Sequence, residues 1–479
     1  MITDLLAATI LGLLVAGAGV AARFAWQRTV AGFVVAALLG AEVVLLGLLF
    51  VGLASTVFVA EPWLDVALRP LFIPVLGLLL AAGAVGGLSW LLSRIHGDTR
   101  RSGAAALLGL GLVLAVGTLA LGIRLDQQEP PPTAEGERRL TEYPRQVPAL
   151  TLPRGFVLRE VVPPQTLRNP TAFVRSPDGT LYVATADGIV ALSDTDGDGT
   201  LDLLRPFAPE VSPAFGLAVF QDALYAASAG SLLRLRDTDG DGRADSTEAL
   251  VEGLPHFVYA FHSNNGLTFG PDGKPYMTVG GTSDHGPEEH RWGGTILRIE
   301  PDGTEAAVHA RGFRNPYDLA FCPDGRLFAT DNGPDQLDAE LLYRPADEVN
   351  LVQAGADYGY PDFYGYPPPW SQSEAPVALL PLSSAATGIT CHSGASFPPT
   401  YRHNLFVTLW GSLAIPEETG KKVVRVTLEE QAGQTVGKVS DFLTELDHPI
   451  DVVEDTDGSL LILDHGRGLI YQVSYAAEG

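Results

Sequence analysis

The stretch His262-Ser-Asn-Asn-Gly-Leu-Thr-Phe-Gly-Pro-Asp-Gly273 decides the predicted fold, together with the related stretch Arg311-Gly-Phe-Arg-Asn-Pro-Tyr317. Each places polar side chains just ahead of two apolar strands that a Pro-Asp-Gly turn separates, at residues 267–279 and 319–330. Polar residues at equivalent places on repeated strand pairs can be aimed at a common centre. The two stretches therefore predict a ring of repeated sheets.

Similar turn-and-strand units recur through the second part of the chain, and long helical patterns are absent between them. Most of the units are about 45–55 residues apart. Regular short strands at this spacing predict an all-β, six-bladed β-propeller over residues 154–479. The six units are Ser176-Pro-Asp-Gly-Thr-Leu-Tyr-Val183, Gln221-Asp-Ala-Leu-Tyr225, Gly270-Pro-Asp-Gly-Lys-Pro-Tyr276, Cys322-Pro-Asp-Gly-Arg-Leu-Phe328, Tyr401-Arg-His-Asn-Leu-Phe-Val407 and Asp455-Thr-Asp-Gly-Ser-Leu-Leu461.

Residues 1–125 have a different composition and predict an α-helical transmembrane domain of four helices. Each of its four apolar stretches is near or above the roughly 20 residues that a helix needs to cross a bilayer. Residues 126–153 are rich in Pro, Glu and Arg and predict an extended linker. The apolar stretches are Leu5–Ala22, Val30–Ala54, Val66–Leu92 and Ala104–Ile123.

Arginines predict the orientation of this domain. Two lie in the first connection (Arg23 and Arg28) and three in the third, whereas the second combines one arginine with two acidic residues. The positive-inside tendency then places connections one and three in the cytoplasm. We therefore expect a multi-pass protein of the cytoplasmic (inner) membrane, with residues 126–479 in the periplasm or outside the cell. Membrane anchoring is the simplest role for the helices, and docking of a membrane quinone is the alternative.

Charge and cysteine content exclude several classes of partner and site. Essentially all of the net charge of −25 belongs to the second part, which has 24 Lys and Arg against 51 Asp and Glu after residue 125. Such an acidic domain repels phosphates and predicts no nucleic-acid partner. Only two cysteines are present, Cys322 and Cys391, and neither has zinc or haem spacing. Two buried thiols are the favoured interpretation. A disulfide is the alternative if the domain is exported.

Two near-identical loops carry aspartates at the spacing that wraps oxygen atoms around Ca²⁺. Aspartates occupy loop positions 1, 3, 5 and 9, glycine occupies position 6, and the second loop adds a glutamate at position 12. Flanking strand patterns replace the helices of an EF-hand, so we expect structural calcium ions in hairpin loops. Polar turns that bind nothing are the alternative. The candidate ligands are Asp194, Asp196, Asp198 and Asp202 in the first loop, and Asp237, Asp239, Asp241, Asp245 and Glu248 in the second.

Four ordered segments, which lie between His262 and Pro361, resemble the quinoprotein glucose dehydrogenases and their glucose/sorbosone dehydrogenase relatives. The first runs from His262 through the Pro-Asp-Gly turn to Gly280. The others are Gly293-Gly-Thr-Ile-Leu-Arg-Ile-Glu-Pro-Asp-Gly303, Gly312-Phe-Arg-Asn-Pro316 running to Thr330-Asp-Asn-Gly-Pro334, and Asp347-Glu-Val-Asn-Leu351 followed by Tyr358-Gly-Tyr-Pro361.

This resemblance implies an oxidoreductase that oxidises an aldose or related polyol with pyrroloquinoline quinone (PQQ) and calcium. It implies that His262 is the general base, a task for which a neutral imidazole is suited. Arg314 and Asn315 match the pair that holds the quinone, with Arg314 also acting at the reacting centre and Asn265 beside them. Gly333 and Pro334 match the dipeptide whose carbonyl oxygens bind the active-site calcium. A membrane quinone is a candidate electron acceptor.

The chain departs from that family where its members carry further cations. A late-blade lysine has no counterpart in Leu405-Phe-Val-Thr-Leu-Trp-Gly-Ser412, and Leu446-Asp-His-Pro-Ile-Asp451 lacks the two arginines of the soluble glucose enzymes. The alternative function is therefore a non-redox, calcium-binding propeller that recognises a glycan or a protein. In either case His392 and Trp410 line the same funnel or pack in the core, and packing is favoured for Trp410.

Overall fold

The computed structural model describes residues 138–140, 150–257, 262–334, 345–394, 396–411 and 419–476. All of them belong to the second of two compact units, Pro130–Gly479. The four predicted membrane spans lie outside the described residues. Among the residues that are described, no helix is long and apolar enough to cross a bilayer.

Six antiparallel sheets follow one another along the chain, each built on four consecutive strands, except that the last takes one strand from the start of the domain. The innermost strand of each sheet contacts the innermost strand of the next, and the sixth contacts the first. This closed ring confirms the predicted six-bladed β-propeller. The Pro-Asp-Gly and related turns connect the first and second strands of each blade, where the repeat predicted them.

The strands of the first three blades have the following bounds. Blade 1 contains β3 (Ala172–Arg175), β4 (Leu181–Thr185), β5 (Gly188–Ser193) and β6 (Leu203–Ala208), with β1 (Arg138–Arg139) added at its outer edge. Blade 2 contains β7 (Ala214–Phe220), β8 (Ala223–Ser228), β9 (Ser231–Arg236) and β10 (Ser246–Val251). Blade 3 contains β11 (Asn264–Phe269), β12 (Pro275–Val279), β13 (Thr295–Ile299) and β14 (Ala306–Arg311).

The remaining blades complete the ring. Blade 4 contains β15 (Pro316–Phe321), β16 (Leu327–Asp331), β17 (Ala346–Val352) and β18 (Ala378–Leu382). Blade 5 contains β19 (Ala386–Cys391), β20 (Leu405–Leu409), β21 (Lys422–Gln431) and β22 (Gln434–Leu443), with a short 3₁₀ helix at Pro399–Tyr401. Blade 6 contains β23 (Pro449–Glu454), β24 (Leu460–Asp464) and β25 (Leu469–Tyr475), and its outermost strand is β2 (Phe156–Val162).

The hydrophobic core lies between the blades. Each of six clusters of buried residues joins two neighbouring blades, as Phe328 of blade 4 and Val407 of blade 5 do within one cluster. Because strand side chains alternate between the two faces of a sheet, every blade buries one face against each neighbour. Full burial of one such side chain contributes about 1.5–3 kcal/mol. The ring thus depends on all six contacts.

Half-buried aspartates on two innermost strands tie neighbouring blades together near the axis. Asp318 accepts a hydrogen bond from the backbone N–H of Ile389 in blade 5 at 2.9 Å. Asp451 accepts one from the N–H of Phe173 in blade 1 at 3.0 Å. Gly266 fits beside Asp318 because a Cβ there would lie only 2.5 Å from the Cα of Asp318. The ring axis is therefore acidic and closely packed at this level.

The favoured interpretation of the two cysteines was wrong, because Cys322 and Cys391 form a disulfide. Cys322 directly follows β15, and Cys391 ends β19, the innermost strand of the next blade. The ends of these adjacent strands bring the two Cα atoms to 5.1 Å, a normal disulfide separation. The bond therefore links blade 4 to blade 5.

Candidate active site

Strand direction decides which predicted residues share a face of the ring. His262 and the Arg314-Asn315 pair come just before the innermost strands of blades 3 and 4, so they lie on the same face. The predicted calcium loops connect the third and fourth strands of blades 1 and 2. Because the strands are antiparallel, those loops lie on the opposite face. The structure thus separates the two kinds of predicted site.

His262 is almost fully buried, and its Nδ1 atom lies 2.7 Å from the carbonyl oxygen of Gly281. A carbonyl oxygen can only accept a hydrogen bond, so Nδ1 carries the hydrogen of a neutral ring and Nε2 carries the lone pair. Burial, with the positive charge of Arg314 nearby, lowers the pKa of His262 to about 3. The imidazole is therefore neutral at physiological pH, in the form that can accept a proton.

Arg314 lies beside His262 and is held by Asp284. Its Nη2 donates to Oδ1 of Asp284 at 2.6 Å, and its Nε donates to the carbonyl oxygen of Asp284 at 3.2 Å. Both side chains are buried. The backbone of Gly281 connects the two parts of the site, since its N–H donates to the carbonyl oxygen of Arg314 at 2.7 Å. The guanidinium charge is therefore balanced by a carboxylate within the site.

Three asparagines form a chain of amide groups next to Arg314. Asn265 donates from Nδ2 to Oδ1 of Asn315 at 3.2 Å, and Asn315 donates from Nδ2 to Oδ1 of Asn332 at 3.1 Å. Gly280 packs against this chain, where a Cβ would lie 2.6 Å from Oδ1 of Asn315. The Oδ1 atom of Asn265 is buried and has no hydrogen-bond partner in the described part of the chain. A buried acceptor in this state can bind a donor from a ligand.

Two buried acids hold the backbone of the predicted binding residues. Asp331 accepts the N–H groups of Arg314 at 3.1 Å and of Asn315 at 2.8 Å. Asp347 accepts the N–H of Gly333 at 3.1 Å and that of Ala386 at 3.1 Å. Burial, followed by repulsion from the neighbouring Glu348, raises the pKa of Asp331 well above its usual value. These acids fix the start of blade 4 and the Gly333-Pro334 dipeptide.

The structure brings together only part of each predicted calcium loop. The carboxylates at positions 1, 3 and 5 of each loop come within 4.8 Å of one another, namely Asp194, Asp196 and Asp198 in the first loop, and Asp237, Asp239 and Asp241 in the second.

The position 9 carboxylates have other partners in the structure. Asp202 accepts a hydrogen bond from the hydroxyl of Thr195 at 2.6 Å, and Asp245 accepts one from Thr238 at 2.7 Å. Glu248 forms an ion pair with Arg234. Calcium binding in the loops stays a prediction.

Sequence reasoning missed the residues that hold the site together. Asp284 and the carbonyl group of Gly281 carry no local pattern, since their roles depend on loops of blade 3 meeting blade 4. Asp331 and Asp347 lie inside the segments that carried the family resemblance, which was a usable signal. His392 is fully buried and stacks on Phe397 at 4.2 Å, so it packs in the core.

Comparison with known proteins finds similarity to several proteins that are named as sugar dehydrogenases. The chain is 29% identical over 149 residues to quinoprotein glucose dehydrogenase B of Acinetobacter calcoaceticus, covering 24% of this chain and 29% of that protein. The PQQ-bound aldose sugar dehydrogenase of Streptomyces coelicolor matches with a TM-score of 0.52 and 21% identity, over 68% of this chain and all of that one. A calcium structure of a Trichoderma reesei carbohydrate-active enzyme of family AA12 matches with a TM-score of 0.58 and 16% identity, over 69% and 98% of the two chains.

At these identities the structural matches show the fold alone. The chain spans about half of the length, or less, of the curated relatives that it matches. A family model described as a domain of unknown function (DUF7133) matches residues 145–476. Because this match covers well over half of the sequence and the whole ring of blades, the chain belongs to the DUF7133 family.

Proposed function

We propose that this chain is a PQQ- and calcium-dependent oxidoreductase that oxidises an aldose or a related sugar or polyol. The observation that carries the proposal is the neutral, buried imidazole of His262, oriented by the carbonyl of Gly281 beside Arg314 and Asn315. Relatives and structural neighbours named as quinoprotein, glucose or aldose sugar dehydrogenases support the same chemistry.

His262 acts as the general base in this proposal. Oxidation of a sugar hydroxyl removes a hydride from carbon and a proton from oxygen, and Nε2 of His262 accepts that proton. A base near the reacting hydroxyl typically contributes 10²–10⁴-fold to the rate. The hydrogen bond from Nδ1 to Gly281 stabilises the imidazolium that forms. It also keeps Nε2 as the proton acceptor throughout the cycle.

The residues present fit a polar, planar cofactor. Arg314, Asn315 and Asn265 place a guanidinium and two amides together, and Oδ1 of Asn265 is a buried acceptor whose hydrogen bond is not made within the described protein. The dipeptide Gly333-Pro334, fixed through Asp347, would hold calcium by its carbonyl oxygens. When bound, PQQ supplies the quinone that accepts the hydride, and calcium polarises it as a Lewis acid.

The proposed location is the outer face of the cytoplasmic membrane, with residues 1–125 as a four-helix anchor. The four apolar stretches and the arginine-rich connections support it. The disulfide between Cys322 and Cys391 supports an oxidising compartment such as the periplasm. A membrane quinone would then be within reach as the electron acceptor.

The test is reconstitution of the full-length chain with PQQ and Ca²⁺, followed by the ultraviolet–visible spectrum before and after addition of sugars. We expect the absorbance of bound quinone to change to that of its reduced form with a sugar that also supports dye-linked oxidation. A chain that binds no quinone and oxidises no aldose or polyol would falsify the proposal.

The ion pair between Arg314 and Asp284 favours the second candidate, a propeller that binds a glycan or a protein without redox chemistry. Because Asp284 already balances the guanidinium charge, Arg314 attracts an anionic cofactor less strongly than an unpaired arginine would. Two cations that could replace the missing lysine and arginines also have partners: Lys422 pairs with Asp441 at 2.8 Å, and Arg467 donates to Tyr471 at 2.9 Å. Sugar binding without quinone binding would support this candidate.

A further inference from the structure

The loop between β17 and β18 turns back toward the candidate active site. The backbone N–H of Tyr358 donates to the carbonyl of Arg311, and that of Tyr360 donates to the carbonyl of Gly312, both at 2.9 Å. The hydroxyl of Tyr360 then donates to the carbonyl of Ser283 at 2.9 Å. Since Ser283 precedes Asp284, the partner of Arg314, the loop forms one side of the site.

Residues 359–371 of this loop, named the aromatic loop here, carry aromatic rings from the site to the surface. Tyr364 lies next to Tyr360, with ring centroids 6.2 Å apart. Phe363 packs edge-to-face against Trp370 at 5.3 Å. Burial, with Tyr360 and the negative charge of Asp284 nearby, raises the pKa of Tyr364 to about 12. The rings thus extend outward from the neighbourhood of Asp284.

The outer rings of the aromatic loop are unusually exposed. Trp370 is 76% exposed and Tyr366 is 61% exposed, and they are two of five large apolar side chains exposed on the described part of the chain. The two residues are four positions apart on the same loop, and exposed apolar patches mark binding surfaces. The backbone below them is fixed, because the N–H of Gly365 donates to Glu348 at 2.6 Å. This hydrogen bond and the packing of Phe363 against Trp370 orient the loop before any ligand arrives.

The charge of the loop indicates which kind of ligand its aromatic surface can bind. Residues 353–377 contain no lysine or arginine, whereas they contain Asp357, Asp362 and Glu374. Loops that bind membrane surfaces or nucleic acids combine aromatic side chains with basic ones, so both of those ligands are disfavoured. A neutral ligand with apolar faces and many hydroxyl groups fits aromatic rings with a few acceptors beside them. A sugar chain has these properties.

We propose that the aromatic loop is a carbohydrate-binding surface that takes the sugar units of an oligosaccharide beyond the unit that enters the active site. The proposal rests on the proposed function, because it assumes that a sugar occupies the neighbouring site. Sugar rings stack on Tyr366 and Trp370, while the end of the chain reaches past Tyr360 toward His262. The substrate class is therefore an oligosaccharide or polysaccharide end rather than a free monosaccharide.

The test is isothermal titration calorimetry of the full-length chain, without added quinone, against two series of neutral sugars. The series are glucose to cellopentaose and glucose to maltopentaose. We expect the affinity to rise about ten-fold from the monosaccharide to the longest member of one series. In Trp370→Ala the ratio of the affinity for the longest member to that for the monosaccharide should fall to near one. In Trp370→Phe, which keeps an aromatic ring, most of the wild-type ratio should be restored.

The matched control is Val308→Ala, which truncates another exposed apolar residue, 44% exposed, on β14. It should keep the wild-type ratio, and circular dichroism should show that all variants are folded. An affinity that does not depend on chain length in either series would overturn the proposal. So would a Trp370→Ala variant with an unchanged ratio. If that variant, loaded with PQQ and Ca²⁺, also reduced an added electron acceptor more slowly, the loop would be a contact surface for the acceptor instead. Binding is measured without oxidation, so the two proposals can be told apart. A wild type that oxidises no sugar but binds longer sugars more tightly would contradict the proposed function and support the binding surface.

Discussion

Nδ1 of His262 lies 2.7 Å from the carbonyl oxygen of Gly281, and the N–H of the same glycine donates to the carbonyl of Arg314. One residue of the β12–β13 loop therefore fixes both the tautomer of the candidate base and the start of blade 4. A side chain at Gly281 would meet the carbonyl of Arg314 at 2.9 Å. The position accepts only a residue without a Cβ, and the two halves of the site cannot move independently.

Replacing His262 by glutamine should lower kcat for sugar oxidation by about 10²–10⁴-fold, because the amide cannot accept the hydroxyl proton. Steady-state kinetics with PQQ and Ca²⁺ would measure this, and quinone titration by absorbance would show whether cofactor binding persists. Since the pKa of His262 is about 3, the imidazole stays neutral between pH 5 and 8. Protonation of His262 should therefore not lower the wild-type rate in this pH range. Near wild-type turnover in the variant would exclude His262 as the base.

Breaking the buried ion pair should destabilise the propeller strongly. Asp284→Asn leaves the guanidinium of Arg314 without the carboxylate that balances it, which costs about 3–5 kcal/mol. Urea unfolding would measure the change in free energy of unfolding. The control is Arg311→Ala, which removes an exposed pair with Asp357 and should cost less than about 1 kcal/mol. Similar losses in both variants would show that the buried pair has no special role.

The acidic ring axis should make stability depend on pH. Burial raises the pKa of Asp318, and burial with repulsion from Asp318 raises that of Asp451. The folded state therefore holds protons more tightly than the unfolded state, so stability is greatest in mild acid and is lost as pH rises through the folded-state pKa. We expect Tm to fall between pH 5 and 8, and Asp318→Asn to reduce that fall.

A suitable control for this effect is Asp302→Asn, at an exposed position where hydrogen bonds from Thr304 lower the pKa instead. A carboxyl with a lowered pKa stays ionised between pH 5 and 8, so the variant should keep the wild-type fall in Tm across that range. If Asp318→Asn and wild type gave parallel curves, the axial aspartates would not titrate as the structure indicates.

Removing the disulfide should lower stability by about 4 kcal/mol, as chain entropy predicts for cysteines that are 69 residues apart. The variant Cys322→Ser/Cys391→Ser would be compared with wild type in urea, each with and without dithiothreitol. Only wild type should respond to the reductant. Peptide mapping under non-reducing conditions should recover the cross-linked pair, and its absence would contradict the bond.

Calcium should stabilise the propeller through the loops of blades 1 and 2. At 100 times its Kd a structural ion would add about 2.7 kcal/mol. Thermal unfolding without added quinone would compare wild type with Asp198→Asn/Asp241→Asn, in which one carboxylate of each clustered triad is neutral. The calcium-dependent rise in Tm should be smaller in the variant. A wild type indifferent to calcium would mean that the loops are polar turns.

Local patterns predicted the ring because four of the six blades repeat a Pro-Asp-Gly or Thr-Asp-Gly turn between their first two strands. The Pro-Asp-Gly turns fixed the junction of first and second strands, and thereby placed His262 and Arg314 on one face. The polar contacts of the site could not be predicted in this way. The ion pair of Asp284 with Arg314 depends on two loops that approach only when blades 3 and 4 pack. The prediction of two free cysteines was wrong for the same reason, since the spacing of residues in the sequence does not give their distance across the boundary between two blades.

The solvent exposure of Trp370 could not be predicted from the sequence either. Trp370 lies in a run of prolines and aromatic residues that could equally have been core. Only the path of the loop outside blade 4 shows that its ring faces solvent. Residues whose role follows from their own blade are therefore predictable, and residues whose role follows from the neighbouring blade are not.

The pairing of β2 with β25 has a consequence for biosynthesis. Phe156 lies opposite Tyr475, so β2 leaves the ribosome early and meets its partner strand only after more than 300 residues have followed it. Until β25 is synthesised, the ring of blades is not closed and β2 is an unpaired strand. A prematurely terminated chain that lacks β25 would keep β2 unpaired, so quality-control proteases should recognise truncated products readily.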